Sequence, residues 1–297
     1  MPSVFQIVLP VAAAFFYVSS ALSLKRASEL GAGIWHSAFV SNVLAGLIFQ
    51  VLLVLGGHWQ PLSLWWQPLL TAFLFLSGQI WSMIALQKGD VSIITPVMGV
   101  KILMVAVFTT VLVTGGLPWQ LWLAAALSTS GIACLNHSGA HRTGTSTANA
   151  TRTITYAALA AASFALFDVL VQKWSPAWGI GRFLPLTAGM QGLLSFAIIP
   201  LFPSPLTRLP SPAPRWLVTG GAFMGLQSLL FVSCIAYFGS ATASNVIYSS
   251  RGLMSLAAVS LIGHWFHSTE KGLTPSVLRW RFTGATLMFA AIILVLV

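Results

Sequence analysis

Apolar runs of about twenty residues follow one another along almost the whole chain, with hardly an ionisable side chain inside them. At 1.5 Å per residue, a helix of about 20 residues crosses a hydrocarbon core of about 30 Å, and a helix satisfies its own backbone polar groups where no water can. Hydrophobic residues make up 57% of the 297 and charged residues only 6%, whereas soluble domains carry about a quarter charged. The chain is therefore expected to be an all-α integral membrane protein, with the lipid bilayer as its solvent.

Breaks at charges, Gly and Pro place ten spans near 4–24, 34–55, 67–87, 92–113, 119–136, 153–173, 183–202, 215–237, 242–264 and 277–297. The first of these reads as a retained helix, since no basic n-region or small-residue cleavage site accompanies it. The least apolar stretch, Asn136 to Arg152, separates five spans from five. This gives a first repeat over 1–136, a polar linker over 137–152 and a second repeat over 153–297. A shift of 150 lays Gly89, Lys101, Leu103 and Met104 on Gly239, Arg251, Leu253 and Met254, and a shift of 148 lays Phe16 on Phe164 and Lys25 on Lys173. Because five is odd, the second repeat enters the membrane from the opposite side. The expected fold is ten transmembrane helices arranged as two inverted five-helix repeats.

The formal charge of +10 does not mark a nucleic-acid binder, since no basic stripe or binding motif accompanies it. Twelve of the fourteen Lys and Arg lie in short connections. Lys25, Arg26, Lys88, Arg142, Arg152, Arg208, Arg215, Lys271, Arg279 and Arg281 fall on one side, and Lys173 and Arg182 on the other. Basic residues are retained in the cytoplasm, so both termini are expected outside it. Eleven of the twelve Trp sit near span ends, as an interfacial belt would, and Trp81 lies well inside a span.

Two cations and one carboxylate lie deepest in the spans: Lys101, Arg251 and Asp168. Each costs about 2.5 to 3.5 kcal/mol at a helix centre, so an intramembrane charge is a functional hypothesis from the outset. Lys101 and Arg251 come eleven and twelve residues after Asp90 and Gly239, which places both about 15 Å deep. If both face the bundle axis, the surplus positive charge favours a substrate carboxylate or phosphate. In a purely structural network, Asp168 would pair with either cation and the other would bond carbonyls freed near Pro96 or near Ser249 and Ser250. Asp168 is read as a counter-ion, with proton coupling as its alternative role. Gln79, Gln227, Asn245, Tyr248 and Ser20 supply neutral polar groups at similar depth, and Trp81 an aromatic wall.

Several chemistries find no support. No P-loop, HExxH, GxSxG or paired-carboxylate pattern occurs, so an ATP-driven pump or an enzyme is not expected. His264 and His267 lack a third ligand nearby, Cys134 and Cys234 lie in apolar runs, and neither metal nor cofactor is expected.

Ala85-Leu-Gln-Lys-Gly-Asp-Val-Ser-Ile-Ile-Thr-Pro-Val97 resembles the connection between the third and fourth helices of the drug/metabolite transporter superfamily, EamA type, and Leu121 to Leu135, with Gly131-Ile132, resembles that repeat's closing helix. The likeness covers essentially the whole chain. It implies a cavity lined by the first, third, fourth, sixth, eighth and ninth helices, with alternating access. Lys101 and Arg251 match the cationic fourth and ninth helices of the plastid phosphate translocators. Two departures stand out: Gly115-Gly116 replaces the acidic residue common after the fourth helix, and family termini are more usually cytoplasmic. The implied function is secondary active transport, by export or exchange, of a small organic metabolite bearing a carboxylate or phosphate, in a bacterial inner membrane and with room for proton or exchange coupling. Lipid-linked substrate flipping is the alternative, as is export of neutral or zwitterionic amino acids or drugs.

Overall fold

A computed structural model describes residues 3–88, 91–114, 116–137, 147–262 and 275–296. Gly89, Asp90, Gly115, Arg142, His264, His267 and Lys271, which entered the sequence reading above, lie outside the described residues. Among the described residues all regular structure is helical. The helices are α1 (Val4–Glu29), α2 (Ile34–Ile48), α3 (Trp66–Lys88), α4 (Val91–Gly99), α5 (Lys101–Thr109), α6 (Trp119–His137), α7 (Thr147–Trp178), α8 (Ile180–Leu194), α9 (Ala213–Phe238), α10 (Ala241–Tyr248), α11 (Arg251–Ile262) and α12 (Pro275–Leu296). Eight continuous helical stretches among the described residues are long and apolar enough to cross a bilayer, as in an integral membrane protein. The expected fifth span is a shorter apolar helix, Trp119–Leu135, and the expected ninth is broken between α10 and α11. The linker is shorter than its composition indicates, because α7 already begins at Thr147.

The second and seventh spans share an internal change of winding. Ile34–Ile48 continues as a 3₁₀ stretch over Phe49–Leu55, and Ile180–Leu194 continues as one over Ser195–Leu201. A side chain occupies a carbonyl at each switch. Gln50 Nε2 donates to its own i−4 carbonyl, Gly46, at 2.6 Å, and Ser195 Oγ donates to the i−3 carbonyl of Gly192 at 2.6 Å. Both compete for acceptors that the α ladder uses. Pro200 removes one further donor from the second of these stretches.

The described residues fall into two compact units, and neither coincides with a sequence half. One comprises Val8–Leu76 and Leu170–Ser240, the other Met1–Ile7, Ser77–Val169 and Ala241–Val297. Within the first unit, α2 turns two adjacent small-residue faces to its neighbours. Ser41 and Ala45 receive Gly221 and Gly225 of α9: a Cβ at Gly225 would stand 3.3 Å from the Ala45 Cα. Asn42 and Gly46 receive α8, where a Cβ at Gly46 would stand 3.1 Å from the Ala188 carbonyl and one at Gly192 3.4 Å from that of Asn42. Small residues permit this approach where lipid supplies no hydrophobic drive between helices. His36, fully buried, accepts the Gly33 amide at Nδ1 (3.0 Å) and donates from Nε2 to the Ser204 carbonyl (2.7 Å), tying the start of α2 to the connection before α9.

Between α2 and α8, Gln191 donates to the side-chain carbonyl of Asn42 at 2.9 Å, with both residues buried. Asn42→Leu is expected to destabilise the protein by about 1–3 kcal/mol, the range for stranding a buried amide. Reversible unfolding in bicelles measures it, and Asn42→Leu with Gln191→Leu should regain part of the loss.

In the second unit α6 lies along α12 and meets it through glycine. A Cβ at Gly131 would stand 2.9 Å from the Gly284 carbonyl, and one at Gly284 2.8 Å from that of Gly131. Beside this seam, Ile102 and Ala106 of α5, Ala124 and Ala125 of α6, Val246 of α10 and Ala291 of α12 form one buried apolar cluster. The cluster packs α5, which opens at Lys101, against α10, which carries Asn245 and Tyr248.

Candidate functional site

Each candidate cation stands at a helix break. In the fourth span Pro96 has no amide hydrogen and disrupts the ladder around it. The Val100 amide bonds to Val97, only three residues back, at 3.1 Å, and the Gly99 carbonyl accepts the Thr129 hydroxyl of α6 at 3.3 Å. Lys101 is the first residue of α5. In the ninth span the Ser249 amide divides between Asn245 (3.0 Å) and Val246 (3.2 Å), its hydroxyl donates to Val246 at 2.6 Å, and the Ser250 amide reaches Ile247 at 3.1 Å. Arg251 is the first residue of α11. The positions matched at a shift of 150 in sequence thus occupy matched places after two helix interruptions.

Asp168 of α7 anchors the first of them. Lys101 Nζ lies 2.7 Å from Asp168 Oδ2, and Asn245 Nδ2 donates to the same oxygen at 2.7 Å while also reaching the Ala241 carbonyl at 3.0 Å. Three helices, α5, α7 and α10, are joined at one carboxylate oxygen. Of the two pairings left open by the sequence, the structure has the one with Lys101. Arg251 instead packs on Tyr248, its Cζ 4.7 Å from the ring centroid and its Nη1 3.4 Å from the hydroxyl.

Exposure within the group is graded. The Asp168 side chain is 2% exposed and that of Lys101 15%, while Arg251 is partly exposed over a buried Tyr248. Among the described residues the group holds two cations and one carboxylate, a formal sum of +1. The carboxylate is the most deeply buried of the three charged groups.

Aromatic residues adjoin the group. The Phe164 ring centroid lies 6.0 Å from Lys101 Nζ, and Gly78 of α3 makes room for that ring, since a Cβ there would stand 3.0 Å from it. Trp81, one turn further along α3, stacks on Tyr156 at 5.8 Å and 11°. Phe164 was not among the sequence candidates. Its signal was the i, i+4 spacing to Asp168, which puts both on one face of α7.

Lys101, Asp168, Asn245, Tyr248 and Arg251 are therefore brought together, and Gln79 and Trp81 lie on α3 in the same compact unit. Gln227 and Ser20 belong to the other unit. There Ser20 is fully buried and donates to the Gly220 carbonyl at 2.7 Å, a helix-packing bond, while Gln227 is buried and accepts the Ser228 hydroxyl at 3.4 Å.

No protein-family model and no curated protein matches the sequence. Among solved structures, one crystal structure matches over 98% of this chain and 96% of its own, with a TM-score of 0.71 and 13% sequence identity. At that identity the likeness is one of fold, and fold alone does not carry function.

Proposed function

We propose that the protein is a secondary active transporter of small organic anions and that Lys101, Arg251 and their neighbours form part of its substrate site. The observation carrying this reading is the cluster itself: among the described residues, two cations and one carboxylate inside apolar helices, each cation opening the second half of an interrupted span. Discontinuous helices of this kind supply ion and substrate sites in secondary transporters. Two inverted repeats and ten spans fit the same picture. In support, the second and seventh spans change winding at the same point, the fourth and ninth are interrupted at the same point, and the glycine contacts of α2 with α8 and of α6 with α12 are reciprocal. Membership of the drug/metabolite transporter superfamily, residence in a bacterial inner membrane and termini outside the cytoplasm belong to this proposal as well.

Flux tests it. Protein reconstituted into liposomes preloaded with a panel of small carboxylates and phosphates is expected to exchange at least one of them in counterflow. Arg251→Ala is expected to reduce that flux by about tenfold or more, the equivalent of one charged hydrogen bond. Arg251 suits this test better than Lys101, whose removal orphans a buried carboxylate. Wild-type flux in Arg251→Ala would overturn the assignment of the site.

A further inference from the structure

We propose that Arg182, seated against Trp59 at one end of the unit formed by Val8–Leu76 and Leu170–Ser240, binds the phosphate of an anionic phospholipid headgroup.

Four segments are tied together at that end. Trp178, fully buried, donates from Nε1 to the Gln67 side-chain oxygen at 2.9 Å, and its carbonyl accepts the His58 amide at 2.8 Å. Gln60 donates to the Ala177 carbonyl at 2.6 Å. Tryptophan marks the depth of this junction. Trp59 and Trp66 are exposed, Trp59 stacks on Trp65 at 6.1 Å and 20°, and Trp66 meets Trp174 edge-on at 5.2 Å. Exposed Trp at the ends of apolar spans sits at headgroup level.

Arg182 is held here without being satisfied. Its Cζ lies 5.1 Å from the Trp59 ring centroid. Nη1 donates to the carbonyls of Leu53 and Gly181, both at 3.3 Å, which is long for such a bond. Nε is buried with no hydrogen-bond partner, and Nη2 bonds neither carbonyl. Among the described residues no carboxylate pairs with this arginine, since Glu29 is engaged with Arg26 and Asp168 with Lys101. A staple for the Leu53 carbonyl explains Nη1 and leaves the Nε–Nη2 edge short of an acceptor. A guanidinium edge matches two oxygens of a phosphate, and at headgroup depth the phosphodiester is the abundant group of that shape. An anionic lipid suits the site better than a zwitterionic one, whose own ammonium competes with Arg182 for the phosphate.

Hydrogen exchange of the full chain in nanodiscs tests this, with phosphatidylcholine alone compared with its mixture with phosphatidylglycerol. Amides of 53–60 and 178–183 are expected to exchange at least about threefold more slowly when phosphatidylglycerol is present. Arg182→Gln should abolish that lipid dependence, and Arg208→Gln, at an exposed arginine elsewhere in the same unit, should keep it. Should Arg182→Gln fail to fold, Trp59→Leu, which removes the ring that positions the guanidinium, takes its place with the same expectation. Equal exchange of the wild type in the two lipids would overturn the inference, as would lipid dependence retained in Arg182→Gln or lost in Arg208→Gln. Millimolar inorganic phosphate giving the same protection in phosphatidylcholine alone would overturn the assignment to a lipid.

Discussion

Lys101→Met is expected to destabilise the protein by about 3–5 kcal/mol, the range for removing one partner of a buried ion pair. Lys101→Met combined with Asp168→Asn should regain most of that loss. Asp168 is 2% exposed and lies in an apolar helix, so a carboxylate deprived of the ammonium at 2.7 Å keeps only the Asn245 amide and finds little water. The double variant removes the orphaned charge and leaves an amide that Asn245 can still meet. The attraction between the paired charges is offset by the desolvation of both, which is why removing the pair together costs far less than removing half of it. Arg251→Ala makes the contrast. Its contact with Tyr248 is a cation–π interaction worth about 0.5–2 kcal/mol. Reversible unfolding in bicelles ranks the three variants. If Lys101→Met were no less stable than the double variant, the ion pair would not be what holds Asp168 in place.

What the sequence discloses, and what it withholds, follows from which forces leave a trace in composition. Burial in lipid leaves a strong one. The runs at 34–55 and 215–237 appear as Ile34–Leu55 and Ala213–Phe238, because a stretch either is or is not apolar over the membrane's thickness. Winding leaves almost none. Nothing in the hydropathy of Phe49–Leu55 distinguishes it from the α-helical turns before it. The switch depends on Gln50 reaching both Gly46 and, at 3.2 Å, the Pro185 carbonyl of another helix. The seventh span offered only slightly more, in the chemistry of Ser195 and Pro200.

The site divides along the same line. Lys101, Asp168 and Arg251 were legible as residue types because charge in an apolar run is conspicuous. Their pairing was not, since it depends on how α5, α7 and α10 are rotated about their own axes. Asn245 emerged as the second donor to Asp168 for the same reason. Phe164 was passed over because an aromatic residue in an apolar span is indistinguishable from packing until its neighbours are known. Ser20 shows the converse: a polar residue at the expected depth whose hydroxyl holds a backbone carbonyl of α9.

Gly131→Val and Gly284→Val are each expected to destabilise the second unit by about 3 kcal/mol or more, the upper end for overpacking. At both positions the obstacle is a backbone carbonyl, 2.9 and 2.8 Å from the new Cβ, and unlike the Met288 and Leu135 side chains that also crowd there it cannot rotate away. The helices must part instead. Gly252→Ala supplies the control against the same neighbours, for its Cβ would meet Leu135 at 3.6 Å and Met288 at 3.8 Å, ordinary contact distances. That change should be neutral or stabilising by about 0.5–1 kcal/mol through helix propensity. Because either valine alone already opens the seam, the double variant should lose less than the sum of the two, as mutually contacting sites do. Full additivity would mean that α6 and α12 do not press on each other at a shared point. The consequence reaches the charged cluster, since α6 and α12 contribute Ala124, Ala125 and Ala291 to the core that also buries Ile102 beside Lys101 and Val246 beside Asn245. A seam forced apart should therefore also loosen the Lys101–Asp168–Asn245 contacts, and Gly252→Ala should leave the unfolding transition where it was or raise it.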